Sequence, residues 1–176
     1  MKDKLIKENN FSYYVDRLLK AERINDHPRF SKFMDMAKTL SEESKFDTYK
    51  IGALIAIKGK VISRGANSYK THPQQKRYNR ERICFTEEAK PFIHAEMAAL
   101  QKLKGLKSEN LKNAEMYVYR TGLDGSNRMC RPCAACMKAI KDHGISVIHY
   151  TTTQGIATEY LDKNLPTDVK KAKKLI

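Results

Sequence analysis

The stretch Ile93-His94-Ala95-Glu96-Met97, read together with Arg131-Pro132-Cys133-Ala134-Ala135-Cys136-Met137, decides how the whole chain is read. The first segment offers an imidazole and a carboxylate two residues apart. The second offers two thiols three residues apart. His94, Cys133 and Cys136 supply three ligands of the softness that zinc takes, and the Glu96 carboxylate is left over. A structural zinc site closes with four protein ligands, whereas a catalytic one keeps a position open for water. Three ligands and a spare acid therefore point to an open site. Either triplet alone is a weak signal. Both together are strong, because an apolar helical run follows the first and strand, loop and helix surround the second.

Working outward, proline is favoured in the first turn of a helix, so a helix is predicted from Pro132 or Cys133 to Gly144. Another is predicted from near Ile93 to about Lys104, ending at Gly105. Both motifs then sit at helix N-termini, where the partial positive charge favours thiolate over thiol. The i, i+3 spacing puts Cys133 and Cys136 on one helical face. Upstream, Ile51 to Ile57 is apolar and β-branched, Lys58-Gly59-Lys60 reads as a turn, and Val61 to Gly65 reads as the returning strand of a hairpin. Residues 115–120 and 145–150 read as strands. A helix is predicted from about Arg29 to Ser44, with Phe30, Phe33, Met34, Ala37 and Leu40 along one face. Residues 1–28 read as an N-terminal amphipathic helical extension, and the tail ends in a short helix. Residues 66–92 are polar and aperiodic, and a structureless loop of that length is usually functional or disordered. Its Lys70, Lys76, Arg77, Arg80 and Arg82 suit a lid, a phosphate contact or a plain surface insertion. Strands alternating with helices late in the chain predict an α/β layered fold: a mixed central sheet of about five strands with helices on both faces.

The length of 176 residues fits one domain with a real core. No run of 18 apolar residues suggests a membrane span, and the N-terminus lacks the apolar stretch of a secretory signal. A cytoplasmic, reducing location is the expectation. Cys130, Cys133 and Cys136 cluster, with Cys84 apart, which suits a metal better than a disulfide framework. The formal charge of +14 attracts phosphate-bearing partners. Lysine is spread along most of the chain, and the densest basic run is Lys170-Lys171-Ala172-Lys173-Lys174.

An open zinc site lowers the pKa of water toward ~7 and so supplies hydroxide at neutral pH. Hydrolysis by such a water also requires a group that takes its proton and one that protonates the departing group. A single carboxylate can do both, so Glu96 is the candidate acid/base. The competing reading is a closed structural site of Cys130, Cys133 and Cys136 with Cys84 or a histidine, which leaves Glu96 without a role. A redox pair is disfavoured, because Cys133-Ala134-Ala135-Cys136 does not follow the βαβ start such motifs use. His72 reads as a surface residue, and His143 and His149 as structural ones. Tyr117, Tyr119 and Tyr150 read as core or pocket walls.

His94-Ala95-Glu96 followed by Pro132-Cys133-Ala134-Ala135-Cys136 is similar to the signature of zinc nucleobase deaminases. The chain resembles the cytidine/deoxycytidylate deaminase superfamily, and Gly65-Ala66-Asn67 adds a weaker third element. The resemblance implies the three-layer deaminase fold over the whole chain, hydrolytic conversion of cytosine to uracil with release of ammonia, and a zinc ion on His94, Cys133 and Cys136. It implies a substrate contact for Asn67, otherwise read as a turn asparagine, and one for the backbone at Ala95. Cys130 and Arg131 depart from the common pattern, which has a small or acidic residue in place of the third thiol and often glutamate before Pro-Cys. A free pyrimidine nucleotide such as dCMP is the first expected substrate. A base within single-stranded DNA or tRNA comes second, since positive charge favours a phosphate backbone. A zinc-stabilised RNA-binding module is the non-enzyme alternative. Homo-oligomers are expected by analogy.

Overall fold

The computed structural model describes residues 28–82, 92–103 and 105–161. The N-terminal extension, the tail helix, the Lys170–Lys174 run and Cys84 lie outside the described residues. Helix α1 (Pro28–Glu42) leads into strands β1 (Lys50–Ile57) and β2 (Lys60–Ala66). Next come β3 (Ser68–Thr71), α2 (Pro73–Asn79), β4 (Phe92–Ile93) and α3 (Ala95–Leu100), which continues as a 3₁₀ turn over Gln101–Leu103. A second 3₁₀ turn (Ser108–Leu111) precedes β5 (Ala114–Thr121), α4 (Ala134–Asp142), β6 (Val147–Thr152) and β7 (Gly155–Tyr160).

The main sheet has five strands in the order β2-β1-β5-β6-β7. Strand β1 is antiparallel to both neighbours, β5 and β6 are parallel, and β6 and β7 are antiparallel. The β1–β2 hairpin closes because Lys58 and Gly59 both take positive φ (48° and 78°), the backbone of a two-residue turn that matches strand twist. The parallel pair needs a crossover, and α4 supplies it.

Strand alternation builds two cores. Leu54, Ala56, Tyr117 and Tyr119 face α1 and pack on Phe33, Met34, Ala37 and Leu40. Ala53, Ile55, Met116, Val118 and Ile148 face the other way, onto Met97, Leu100 and Ile140 of α3 and α4. Tyr150 joins this second core. The sheet thus carries helices on both faces, as the sequence predicts. Gly65 lets α3 approach closely: a Cβ there would lie 2.6 Å from the Ala99 nitrogen and 2.7 Å from the Ala98 carbonyl carbon.

Two expectations change. The region read as one long irregular loop contains β3, α2 and β4. Helix α2 starts at Pro73 behind an N-cap, His72, whose ring accepts from the Gln74 N–H. Its buried face is made of Gln75 and Asn79, so no apolar period marks it. Residues 155–160 form β7 and extend the sheet by pairing with β6 in register from Val147↔Tyr160 to Thr152↔Gly155.

Candidate metal centre and cleft

His94 and Cys133 are the N-cap residues of α3 and α4. The His94 ring makes no capping bond to its own helix and points at Cys133, whose sulfur is also bonded by Cys136 in the first turn of α4. Cys136 follows one turn into α4 and is fully buried. The His94 Nδ1 atom lies 3.6 Å from Cys133 Sγ and 3.4 Å from Cys136 Sγ. All three donor atoms fall within 4.8 Å of one another. One nitrogen and one sulfur held tetrahedrally at zinc distances sit roughly 3.6 Å apart. The donor set therefore fits zinc in both chemistry and spacing.

Electrostatics agree with that reading. The Cys136 thiol hydrogen-bonds to Cys133 and, with His94 nearby, outweighs burial to hold Cys133 down to about 3. Cys136 is pushed up by sharing that proton and by burial. Of the two sulfurs, Cys133 is the one whose surroundings favour the thiolate that binds metal. Burial works against a protonated His94, but the Cys133 sulfur and the Glu96 carboxylate prevail and raise its pKa. Glu96, second residue of α3, is 5% exposed. Burial pushes its carboxyl above the usual range, against the opposing pull of His94.

The loop that delivers Cys133 is fastened at several points. The Cys130 N–H donates to the Thr151 carbonyl at 3.0 Å. Thr151 Oγ1 donates to the Arg128 carbonyl at 2.7 Å and accepts from the Arg120 N–H at 3.1 Å. Cys130 Sγ lies 3.2 Å from the Val118 carbonyl and 3.0 Å from Thr151 Oγ1. Burial raises Cys130 to about 12, so it is a neutral thiol and a packing group. It does not join the donor cluster found among the described residues. Arg131 grips Glu159 of β7 with two bonds, 2.8 and 2.9 Å. This pair pins the residue before Pro132 to the outer strand of the sheet.

A cleft of about 320 Å³ opens beside His94. Phe46, Tyr49 and Phe92 form its aromatic wall, and Asn67, Asn79 and Arg82 its polar one. Phe46 stacks between Tyr49 and Tyr69, with ring centroids 5.4 and 4.1 Å away. Asn67 is buried at the end of β2, and its amide oxygen accepts from Ser44 Oγ (2.6 Å) and the Ile51 N–H (2.9 Å). Its nitrogen donates to the Tyr49 carbonyl at 3.0 Å. Asn67 therefore ties the α1–β1 connection to the cleft floor as well as lining it. Ala95 opens α3 and is fully buried. A first-turn N–H has no acceptor within its own helix.

A model of the cytidine and deoxycytidylate deaminase zinc-binding region matches residues 28–152. The chain belongs to this deaminase family. It is a zinc-dependent hydrolase of that class. Among solved structures, cytidine deaminase from Burkholderia pseudomallei is similar at TM-score 0.51 and 18% identity, over 78% of this chain and 96% of that one. It shares the fold. The dCMP deaminase of cyanophage S-TIM5 in apo form is similar at TM-score 0.48 and 20% identity, over 71% of this chain and 84% of that one. The same enzyme in complex with dCMP and dUMP is 21% identical at TM-score 0.48, over 72% and 83%. No curated protein sequence matches the chain. No described helix is long and apolar enough to cross a membrane.

Sequence reasoning brought together His94, Cys133, Cys136 and Glu96, and the structure places them together. It missed Gln75, Asn79, Phe46 and Tyr49. Only the i, i+4 spacing of Gln75 and Asn79 could have flagged a buried polar face.

Proposed function

We propose that the chain deaminates cytosine in a free pyrimidine nucleotide such as dCMP, with His94, Cys133 and Cys136 as the zinc ligands and Glu96 as the acid/base. The observation that supports this reading best is the convergence of three soft donors beside a buried carboxyl, next to a cleft with an arginine in its wall. Its volume of about 320 Å³ lies at the small end of ligand sites. That size suits one base and one sugar phosphate.

When bound, zinc supplies water acidic enough to act as a nucleophile near neutrality. The rest falls to the chain. Glu96 takes the first proton that water gives up and passes it to the ring nitrogen; it then takes the second from the hydroxyl now on the ring carbon and gives it to the amine, which leaves as ammonia as the C–N bond breaks and the carbonyl forms. Burial raises the pKa of this carboxyl, in the direction that brings an acid/base nearer to neutrality. The aromatic wall stacks the base. Arg82, exposed at the cleft, meets the phosphate. The Ala95 N–H and the second amide hydrogen of Asn67 orient base and sugar.

A second reading, a base presented by a single strand, draws on Lys76, Arg77 and Arg80, which are exposed on or just beyond α2 beside the cleft. Ammonia release from dCMP, cytidine and a single-stranded oligonucleotide, each with the native chain and with Glu96→Gln, tests both. Turnover of dCMP that vanishes in Glu96→Gln is expected. Turnover of the oligonucleotide alone, with steep loss in salt, would replace the first reading by the second.

A further inference from the structure

The orientation of two buried amides can be traced from one fixed donor. The His94 backbone N–H donates to Gln75 Oε1 at 3.0 Å. A backbone N–H cannot accept, so the oxygen of Gln75 must face it and the amide nitrogen must face away. That nitrogen donates to Asn79 Oδ1 at 2.8 Å. Gln75 is fully buried and has no other role in view. Its direction forces the Asn79 oxygen toward it, and hence the Asn79 NH₂ group outward. Asn79 is 5% exposed and lines the cleft beside His94. Its Nδ2 atom has no hydrogen-bond partner among the described residues. It is not an orphan sealed in protein, so the accessible surface it keeps belongs to the cleft.

We propose that Asn79 is a substrate-binding residue: its NH₂, aimed by the His94–Gln75–Asn79 relay, donates to an oxygen of the nucleotide. This assignment rests on the deaminase reading of the cleft. Every polar group found at this wall gives hydrogen bonds. Both lone-pair directions of Asn67 Oδ1 are occupied, and Arg82 has only donors. Such a wall selects a ligand rich in acceptors, which means a carbonyl, a sugar oxygen or a phosphate. It also couples recognition to the metal centre, since the residue that aims Asn79 is held by the backbone of His94.

Asn79→Asp is the informative variant. It keeps an oxygen for Gln75, so the relay and the fold persist, but it presents an acceptor where two donors stood. Binding to the zinc-loaded Glu96→Gln protein, which does not turn over, is measured by calorimetry with dCMP, deoxycytidine and inorganic phosphate. Asn79→Asp and Asn79→Ala are each expected to weaken dCMP about tenfold or more, with the melting temperature held within a few degrees for Asp. Loss with dCMP and phosphate but not with deoxycytidine assigns the bond to the phosphate. Equal loss with deoxycytidine assigns it to base or sugar. Affinity for dCMP unchanged within twofold in Asn79→Asp, or no dCMP binding in the parent, overturns the proposal. Failure of the deaminase reading shows separately, as no ammonia release by the chain with Glu96 intact.

Discussion

Replacing Gly65 with alanine puts a methyl group into the contact between β2 and α3. The new carbon would lie 2.6 Å from the Ala99 nitrogen and 2.7 Å from both the Ala98 carbonyl carbon and its Cβ. None of these atoms belongs to a flexible side chain. Ordinary contact is about 3.5 Å, so helix and strand must separate by about 1 Å. Overpacking of that kind costs about 2 kcal/mol, which lowers the melting temperature of a domain this size by roughly 4–8 °C. Helix α3 also carries His94 and Glu96. A shift of about 1 Å stretches the separations of 3.4 and 3.6 Å that match zinc, and misplacement on that scale lowers turnover by roughly a hundredfold. The assay pairs thermal melts at fixed free zinc with zinc affinity by chelator competition. Gly59→Ala is the control: it has positive φ but nothing within 4 Å of the new carbon, so it should lose stability without losing zinc affinity. If Gly65→Ala melts with the native chain and holds zinc equally well, the packing of α3 on β2 does not set the metal geometry and the reasoning fails.

Glu96→Gln should lower ammonia release by a factor on the order of 10² to 10⁴ while zinc content stays at one per chain, since the amide fits the buried site but carries no proton. Arg131→Ala removes one half of a largely buried bidentate pair; a stability loss of about 2 kcal/mol is expected by urea titration, together with weaker zinc binding. The neighbouring His149, aided by Tyr117, holds the Glu115 carboxyl below its ordinary value. Its contribution is therefore complete above the unfolded carboxylate pKa of about 4.3 and is lost as pH falls through the lower folded value. The stability gap between the native chain and Glu115→Gln, large at pH 7, should shrink toward pH 3; a gap that grows there would contradict the assignment. Stripping zinc should lower the melting temperature and leave the Cys133 thiolate open to oxidation with Cys136, seen as a loss of two titratable thiols that zinc prevents.

Much of this was legible from residues. Amphipathic periodicity marked α1, the Lys58-Gly59 turn marked the hairpin, and the two ligand motifs marked the starts of α3 and α4 within two residues. Those signals are local, so a linear reading finds them. Helix α2 escaped because its inward face is Gln75 and Asn79, whose burial is stabilised by hydrogen bonds to each other and to His94. That partnership spans 19 residues, and no period records it. Strand β7 escaped because Gly155 to Tyr160 carries few apolar residues, and its pairing on β6 decides its state. The role of Cys130 was open in sequence, since spacing alone counts three thiols. Only Thr151 and the Val118 carbonyl show that this one points elsewhere.

His94 is 39 residues before Cys133 and 42 before Cys136. In an unfolded chain, an ion at Cys133 and Cys136 has no His94 beside it. Bringing the third donor in costs roughly 3 kcal/mol of loop-closure entropy, which the native sheet has already absorbed by pairing β1 with β5 and β5 with β6. A copy whose central strands paired out of register would leave the donor set incomplete, so metal affinity should report whether the sheet is correctly built.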